Sequence, residues 1–428
     1  MRILVLSSTP WSDDNSFGNT FSNIFEGIED IEIANIACRP GMPTSYLVKR
    51  YYQITEKSLI KNLTEKSFPS GREIKINRNE MVDKSFSQNL KMRKFGSEKR
   101  WQILFWMRDL IWTVGRWKSQ AFIDFIDDFN PDLIFQPIYF SSYLNDMVNF
   151  IKKHTNVPMF GYISDDCYTL KQVSFSPIYW LDRFYKRRKV KRTVEQCEIL
   201  YVISDVQKNE YEKCFTPPCK ILTKCADFSD ERKPDFKEPD EILKMVYAGN
   251  ISGGRYDILA ELAKATEKLN VDSEKFQLDI YTLTPLSDKQ KECLSTKSVH
   301  LHPPVSYQEI REIQKNSDIL LHCEGFSLKE KLAVHQSFST KIVDYLETNR
   351  CIFAIGDDYC ASIKYFIDND CGAVATNKED IEKELLRLHN NRELLKKYAQ
   401  KGWESGKKHH HKPLVQAMVK SDLNKFVR

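Results

Sequence analysis

Short apolar runs alternate with stretches of helical periodicity along most of the chain, the pattern of parallel α/β layers. In the first half the runs predict strands at Ile3–Ser7, Ile31–Ala37, Leu133–Phe140, Met159–Ile163, Leu200–Ser204 and Ile221–Lys224. Pro131 and Pro158 stand just ahead of two of them, where a missing amide interrupts no ladder. A second series is predicted at Met245–Tyr247, Leu278–Leu283, Val299–Leu301, Ile319–His322, Ile352–Ile355 and Ala373–Ala375. Helical segments such as Asp257–Leu269, Tyr307–Asn316 and Lys341–Glu347 separate these strands. Between the two series, Asp230–Asp240 (DERKPDFKEPD) is polar, carries two prolines and has no periodicity, as a linker would. The expectation is an α/β protein of two Rossmann-like domains in tandem, facing a central cleft. Residues 1–229 would form the first, 230–241 the linker and 242–428 the second, with the last helix able to cross back. Doubly wound sheets bind ligands beyond the carboxyl ends of their strands, so the cleft is the expected site.

The alternation breaks down between Met42 and Asn130. The part up to Ser97 reads as basic and irregular. A long helix should follow, with Ile103, Met107, Leu110, Val114, Trp117 and Ala121 on one stripe and Trp101, Phe105, Trp106 and Trp112 off it. Such a helix is either buried between neighbours or faces a membrane or lipid-bearing substrate.

A length of 428 residues suits two domains, and 41% hydrophobic with 29% charged residues is a globular balance. No apolar run reaches the ~18 residues of a membrane span. The opening MRILVLSSTPW reads as a first strand rather than a secretion signal. Eleven cysteines without metal or redox spacing then suggest buried, reduced thiols in the cytoplasm. The net charge of +5 conceals segregation: residues 41–120 carry +10 and residues 171–192 carry +7, leaving −12 elsewhere. The segment Ile178–Arg192, IYWLDRFYKRRKVKR, is aromatic and then cationic. Without a recognised nucleic-acid motif, it fits an anionic membrane surface or a solvated helix face better than nucleic acid. With residues 41–120 it would form one basic, aromatic face. His409–His411 are consecutive, so their side chains diverge and a solvated surface is expected.

Two segments suit anions. In YAGNISGGRYDIL (247–259) a strand enters a glycine-rich turn and then a helix. Gly249, Gly253 and Gly254 permit close backbone approach, and Arg255 adds a forked charge at the helix start. Taken alone, a plain glycine-rich connection with a surface Arg is the better reading; the second anion-ready segment raises the diphosphate reading above it. In FSTKIVDYL (338–346), Ser339 is placed as N-cap with Thr340 and Lys341 in the first turn. Asp344 falls on the face of Lys341, to take a ribose or to pair with the lysine. After the strand Met159–Ile163, Asp165 and Asp166 could orient or deprotonate an acceptor hydroxyl, or cap a helix.

YAGNISGGR (247–255), SDILLHCEGF (317–326), FSTKIVDYLETNRCIFAIG (338–356) and DNDCGAVAT (368–376) together resemble the donor-binding domain of family 4 glycosyltransferases of bacterial surface-polysaccharide synthesis. Residues 1–28 and NPDLI (130–134) resemble the first domain of the same GT-B enzymes. The resemblance implies that Arg255 and Lys341 hold the diphosphate of a nucleotide-sugar, with Asp344 at the ribose and Gly18 at the cleft. The family's other acidic residue, eight before Asp344, is Gln336 here. Glu324 lies twenty before, as if the loop were expanded. The basic residue usual after the first glycine is Asn250. By resemblance the chain would be a hexosyltransferase that retains anomeric configuration, as the family does, and would need no metal or other cofactor. Its partners would be a nucleotide-sugar, a lipid-linked or glycan acceptor and the inner membrane face, but no nucleic acid. An inactive partner or chaperone subunit of a transferase and a nucleotide-sugar epimerase are the alternatives that this fold allows.

Overall fold

The computed structural model describes residues 1–13, 15–76 and 102–426. The first sheet contains β1 (Arg2–Ser7), β2 (Glu32–Ala37), β3 (Val48–Ile54), β4 (Gly71–Glu73), β5 (Leu133–Pro137), β6 (Met159–Ile163), β7 (Ile199–Val202) and β8 (Cys219–Ile221). Their order is β4-β3-β2-β1-β5-β6-β7-β8, parallel except for β4 against β3. The second sheet contains β9 (Leu243–Ala248), β10 (Phe276–Tyr281), β11 (Val299–His302), β12 (Ile319–Cys323), β13 (Cys351–Ile355) and β14 (Ala373–Ala375). It runs β11-β10-β9-β12-β13-β14, all parallel. Parallel strands covered on both faces read as continuous apolar runs, which is why ILVL, LIF, ILL and CIFAI are all buried.

Strand order reverses between β1 and β5 and again between β9 and β12. At such switch points the loops diverge and leave a crevice. Segments 138–139 and 249–255, and Glu324, follow three of these four strands directly. The topology thus brings them to the cleft.

The first half departs from expectation beyond Met42. Residues 48–64 are regular: Val48, Tyr51, Tyr52 and Ile54 are buried in β3, and the helix Glu56–Thr64 starts with a Thr55–Ser58 capping box. The long helix is two. The first, Gln102–Val114, ends at Gly115, where a Cβ would lie 2.7 Å from the Ile111 carbonyl oxygen. The second is Gln120–Phe129, so Trp117 and Ala121 leave the stripe. The stripe is also inverted: Met107, Leu110 and Val114 are exposed, whereas Trp112 is buried and stacked 4.3 Å from Tyr143. Trp101 and the side chains of Ile103 and Phe105 lie outside the described residues.

Segment 233–240 lies against the second domain, where Asn349 Nδ2 donates to the Pro234 carbonyl at 2.8 Å and Lys237 pairs with Asp318 at 2.6 Å. The helix Glu393–His409 packs on β13, and the last helix, Lys412–Phe426, returns to the first domain. There Gln416 Nε2 donates to the carbonyls of Ile24 and Glu26, and Lys412 pairs with Glu26. The histidines seat this crossing rather than forming a solvated surface. His410 is buried between Thr223 and Tyr365, and burial pushes its pKa down to about 3. His411 Nδ1 accepts from the Phe228 amide at 3.1 Å; His409 alone is exposed. Gly406 makes room for the Phe228 ring, which would stand 2.2 Å from a Cβ. Gly406→Val should therefore cost about 1–3 kcal/mol in urea unfolding, the scale of core overpacking.

Candidate active site

A cleft of about 470 Å³ opens between the two domains. Phe17, Thr20 and Phe21 from the helix after β1 line one wall, with Ile138 and Tyr139 after β5 and Ser164 and Asp165 after β6. The opposite wall holds Arg255, Glu324, Ser337, Phe338, Ser339 and Thr340. A smaller recess of about 130 Å³ continues from it in the second domain. It shares Arg255, Glu324 and Ser339 and adds Asn250, His322 and Lys341. Arg255 and Lys341, from separate helix starts, thus meet in one recess.

Glu324 is 5% exposed and accepts from Arg255 Nη2 at 2.6 Å. Burial raises its pKa, against the pull of Arg255 and Lys341. Arg255 is braced by the Cys323 carbonyl at 3.0 Å. Lys341 Nζ donates to the Ala248 carbonyl at 2.9 Å, and burial together with the like charge of Arg255 lowers its pKa. Two crowded cations around a buried carboxylate are ready to receive an anion.

The glycines serve the side chains around them. A Cβ on Gly249 would stand 1.9 Å from Lys341 Nζ, and one on Gly254 2.3 Å from the Glu330 carboxylate. Gly253 and Gly254 have φ of +69° and +80°, which glycine adopts without strain. Asn250 folds the turn, its Oδ1 accepting from the Ser252 amide at 2.7 Å. Ser339 holds the N-cap position of Thr340–Leu346 without a side-chain cap bond.

Three residues are placed otherwise than the sequence suggested. Asp166 is turned into the protein, 2% exposed at its side chain. It accepts from the amides of Tyr168 and Thr169, from the Thr169 hydroxyl and from Arg183. Although burial works to raise its pKa, these bonds outweigh it and lower the value. Asp166 therefore shapes a turn and lines neither cavity. Asp165 faces the cleft; the surrounding walls withdraw water and raise its pKa although its surface is open, while Ser337 Oγ lies 3.4 Å away. Gly18 sits behind the wall, where a Cβ would stand 2.0 Å from the Ser12 carbonyl oxygen; its neighbours Phe17, Thr20 and Phe21 face the cleft instead. Asp344 lines neither cavity. It accepts from Lys224 of the first domain at 2.7 Å, with Tyr307 Oη at 3.4 Å.

Sequence reasoning missed His322, hidden in an apolar strand, and Lys224, which reaches the cleft from after β8. It also missed a cross-domain latch. Gln336 Nε2 donates to Glu210 at 2.6 Å, His335 Nε2 lies 3.1 Å from the same carboxylate, and Ser204 Oγ donates to the Gln336 carbonyl at 2.7 Å. These residues end the inserted helix Leu328–Val334, and no motif marks their distant partners.

No family model and no curated protein matches the chain. Solved structures do. Sucrose-phosphate synthase from Thermosynechococcus elongatus is 10% identical over 99% of this chain and 98% of its own, with a TM-score of 0.63. Anabaena HepE in complex with UDP-glucose is 8% identical over 99% of this chain and 100% of its own, at 0.60. TarM of S. aureus, in complex with fondaparinux, alpha-GlcNAc-glycerol and UDP, is 14% identical over 72% of this chain, at 0.51. The chain spans 58% of the length of TarM. At these identities the likeness defines the fold, and the fold is GT-B: two Rossmann-like domains across a cleft. Among the described residues, no helix is long and apolar enough to cross a membrane, and no three His, Cys, Asp or Glu side chains gather as a metal site would.

Proposed function

We propose that this protein is a glycosyltransferase that moves a hexosyl group from a nucleotide-sugar to a lipid-linked or glycan acceptor in polysaccharide synthesis, with retention. The observation that carries the reading is the meeting of Arg255, Lys341 and Glu324 at a cleft whose far wall holds Asp165. A diphosphate in the recess would be neutralised by Arg255 and Lys341. As the bond from the sugar carbon to the diphosphate oxygen breaks, negative charge grows where those cations stand. The acceptor oxygen then bonds to that carbon and loses its proton, for which Asp165, raised by desolvation, is a suitable acceptor. Glu324 faces the same space and would hold the sugar. With side chains supplying the positive charge, this chemistry needs no metal or other cofactor.

Phe17, Phe21, Tyr139 and Tyr162 give the acceptor side apolar faces suited to sugar rings. The Lys224–Asp344 pair and the amide of Gln336 favour a second reading, a GT-B partner subunit without transfer activity. An epimerase is the third. Product analysis with a panel of nucleotide-sugars and a membrane extract separates them: a transferred sugar supports the proposal, whereas a converted free donor or no product contradicts it.

The site of action we place at the inner, anionic face of a membrane. The helix Pro177–Val194 is inverted: Arg183 and Lys186 are buried in ion pairs, while Ile178, Leu181, Phe184 and Tyr185 are exposed, Leu181 by 70%. Phe175 just before it is fully exposed. Trp106 Nε1 donates to Asp182 at 3.2 Å, joining this helix to the one that exposes Met107, Leu110 and Val114. Exposed Arg188, Lys191 and Arg192 continue the same helix. An apolar patch with basic neighbours fits an anionic bilayer, where each cation contributes about 1 kcal/mol. The protein should co-sediment with phosphatidylglycerol vesicles at low salt and be released at high salt, and Leu181→Glu should reduce binding severalfold. No binding at low salt would contradict this placement.

A further inference from the structure

His322 is the penultimate residue of β12, two residues before Glu324, with its side chain 7% exposed. Among the described residues its Nε2 has no hydrogen-bond partner, and it lies 3.6 Å from Glu324 Oε1, beyond bonding distance. Buried ring nitrogens are rarely left so, because an unmet bond costs stability. Burial, with Arg255 and Lys341 nearby, pushes the pKa of His322 down to about 3, so the ring is neutral and one nitrogen bears a hydrogen.

The other oxygen of Glu324 is held by Arg255. Arg255 also borders both cavities, so a diphosphate in the recess competes for the same guanidinium. Drawn toward the phosphates, Arg255 leaves behind a carboxylate with almost no access to water. Such a group takes up a proton unless another donor reaches it. His322 needs to close less than 1 Å to bond it.

We infer that His322 is a positioning residue whose Nε2 hydrogen takes over Glu324 when a bound diphosphate draws Arg255 away, keeping the carboxylate ionised and aimed at the sugar. Its part in catalysis rests on the donor reading above; the hydrogen bond itself does not. Besides His322, the groups facing Glu324 are Arg255, Lys341, Tyr247, Cys323 and Cys360.

The test imitates the departure of Arg255 with Arg255→Gln and adds His322→Phe or His322→Gln in that background. Infrared titration reads the protonated carboxyl stretch of Glu324, assigned by its loss on Glu324→Gln. The midpoint should rise by about 1–2 pH units from Arg255→Gln to the Phe double variant, the worth of one hydrogen bond to a charge. His322→Gln, which keeps a donor, should restore most of the difference. Equal midpoints in all three would overturn the inference. With Arg255 intact, His322→Phe should lower kcat more than tenfold, leave UDP affinity within about threefold and raise the acid limb of the pH profile, with His322→Gln between. Equal losses of UDP affinity and kcat with an unmoved acid limb would also overturn it. A wild type that binds no UDP and turns over no donor would remove the transferase reading, and the infrared comparison would still decide for or against His322.

Discussion

Replacing Lys341 by alanine is expected to weaken binding of a nucleoside diphosphate about 10- to 150-fold, as read by calorimetry. One charge-assisted hydrogen bond is worth about 1.5–3 kcal/mol, and that range converts to this fold-change. Among the described residues Lys341 Nζ donates to the Ala248 carbonyl, a bond it can leave, and the space at Gly249 lets its amine stand beside the backbone. Its lowered pKa has the same cause, desolvation beside Arg255, so an arriving anion relieves strain between two cations. Asp344→Asn should cost less, since Asp344 is tied to Lys224 and lines neither cavity.

Glu324→Gln should separate binding from chemistry. Turnover should fall about 100-fold or more, the scale of losing one preorganised electrostatic group, with diphosphate affinity unchanged or improved. The improvement follows from the 2.6 Å ion pair: a neutral glutamine competes less for Arg255 than a carboxylate does. Single-turnover rates beside equilibrium titration measure both quantities. A parallel loss of affinity and rate would make Glu324 a brace for Arg255 and nothing more.

The fold was largely legible because fully buried parallel strands leave unmistakable apolar runs. Each run in the second half corresponds to a strand of the second sheet, and the glycine turn and the EGF segment fall beside its switch point. β3 escaped notice because VKRYYQI mixes charge with aromatics, as a strand near a sheet edge can. For the helices Gln102–Val114 and Pro177–Val194 the sequence left open which face is covered. Periodicity shows which residues share a face, not which way the face points, and here the apolar faces point outward. Within the site, helix starts after strands disclosed Arg255 and Lys341, since local geometry places them. Asp166 and Asp344 depend on distant partners, Arg183 and Lys224, that no local pattern names. His322 carried no signal at all: in a strand read as core, a histidine looks like any other satisfied side chain.

The most direct measurement is the melting of the wild-type protein with UDP, GDP, ADP and CDP, each beside its nucleoside. At least one diphosphate should raise the melting point and its nucleoside should not, because the recess recognises charge first. At one hundred times Kd the stabilisation should be about 2.7 kcal/mol, and at the same concentration it should fall to about 0.3–1.4 kcal/mol in Lys341→Ala. A panel in which no diphosphate shifts the melting point, or in which Lys341→Ala responds as the wild type does, would mean that Arg255 and Lys341 do not form a nucleotide-sugar site.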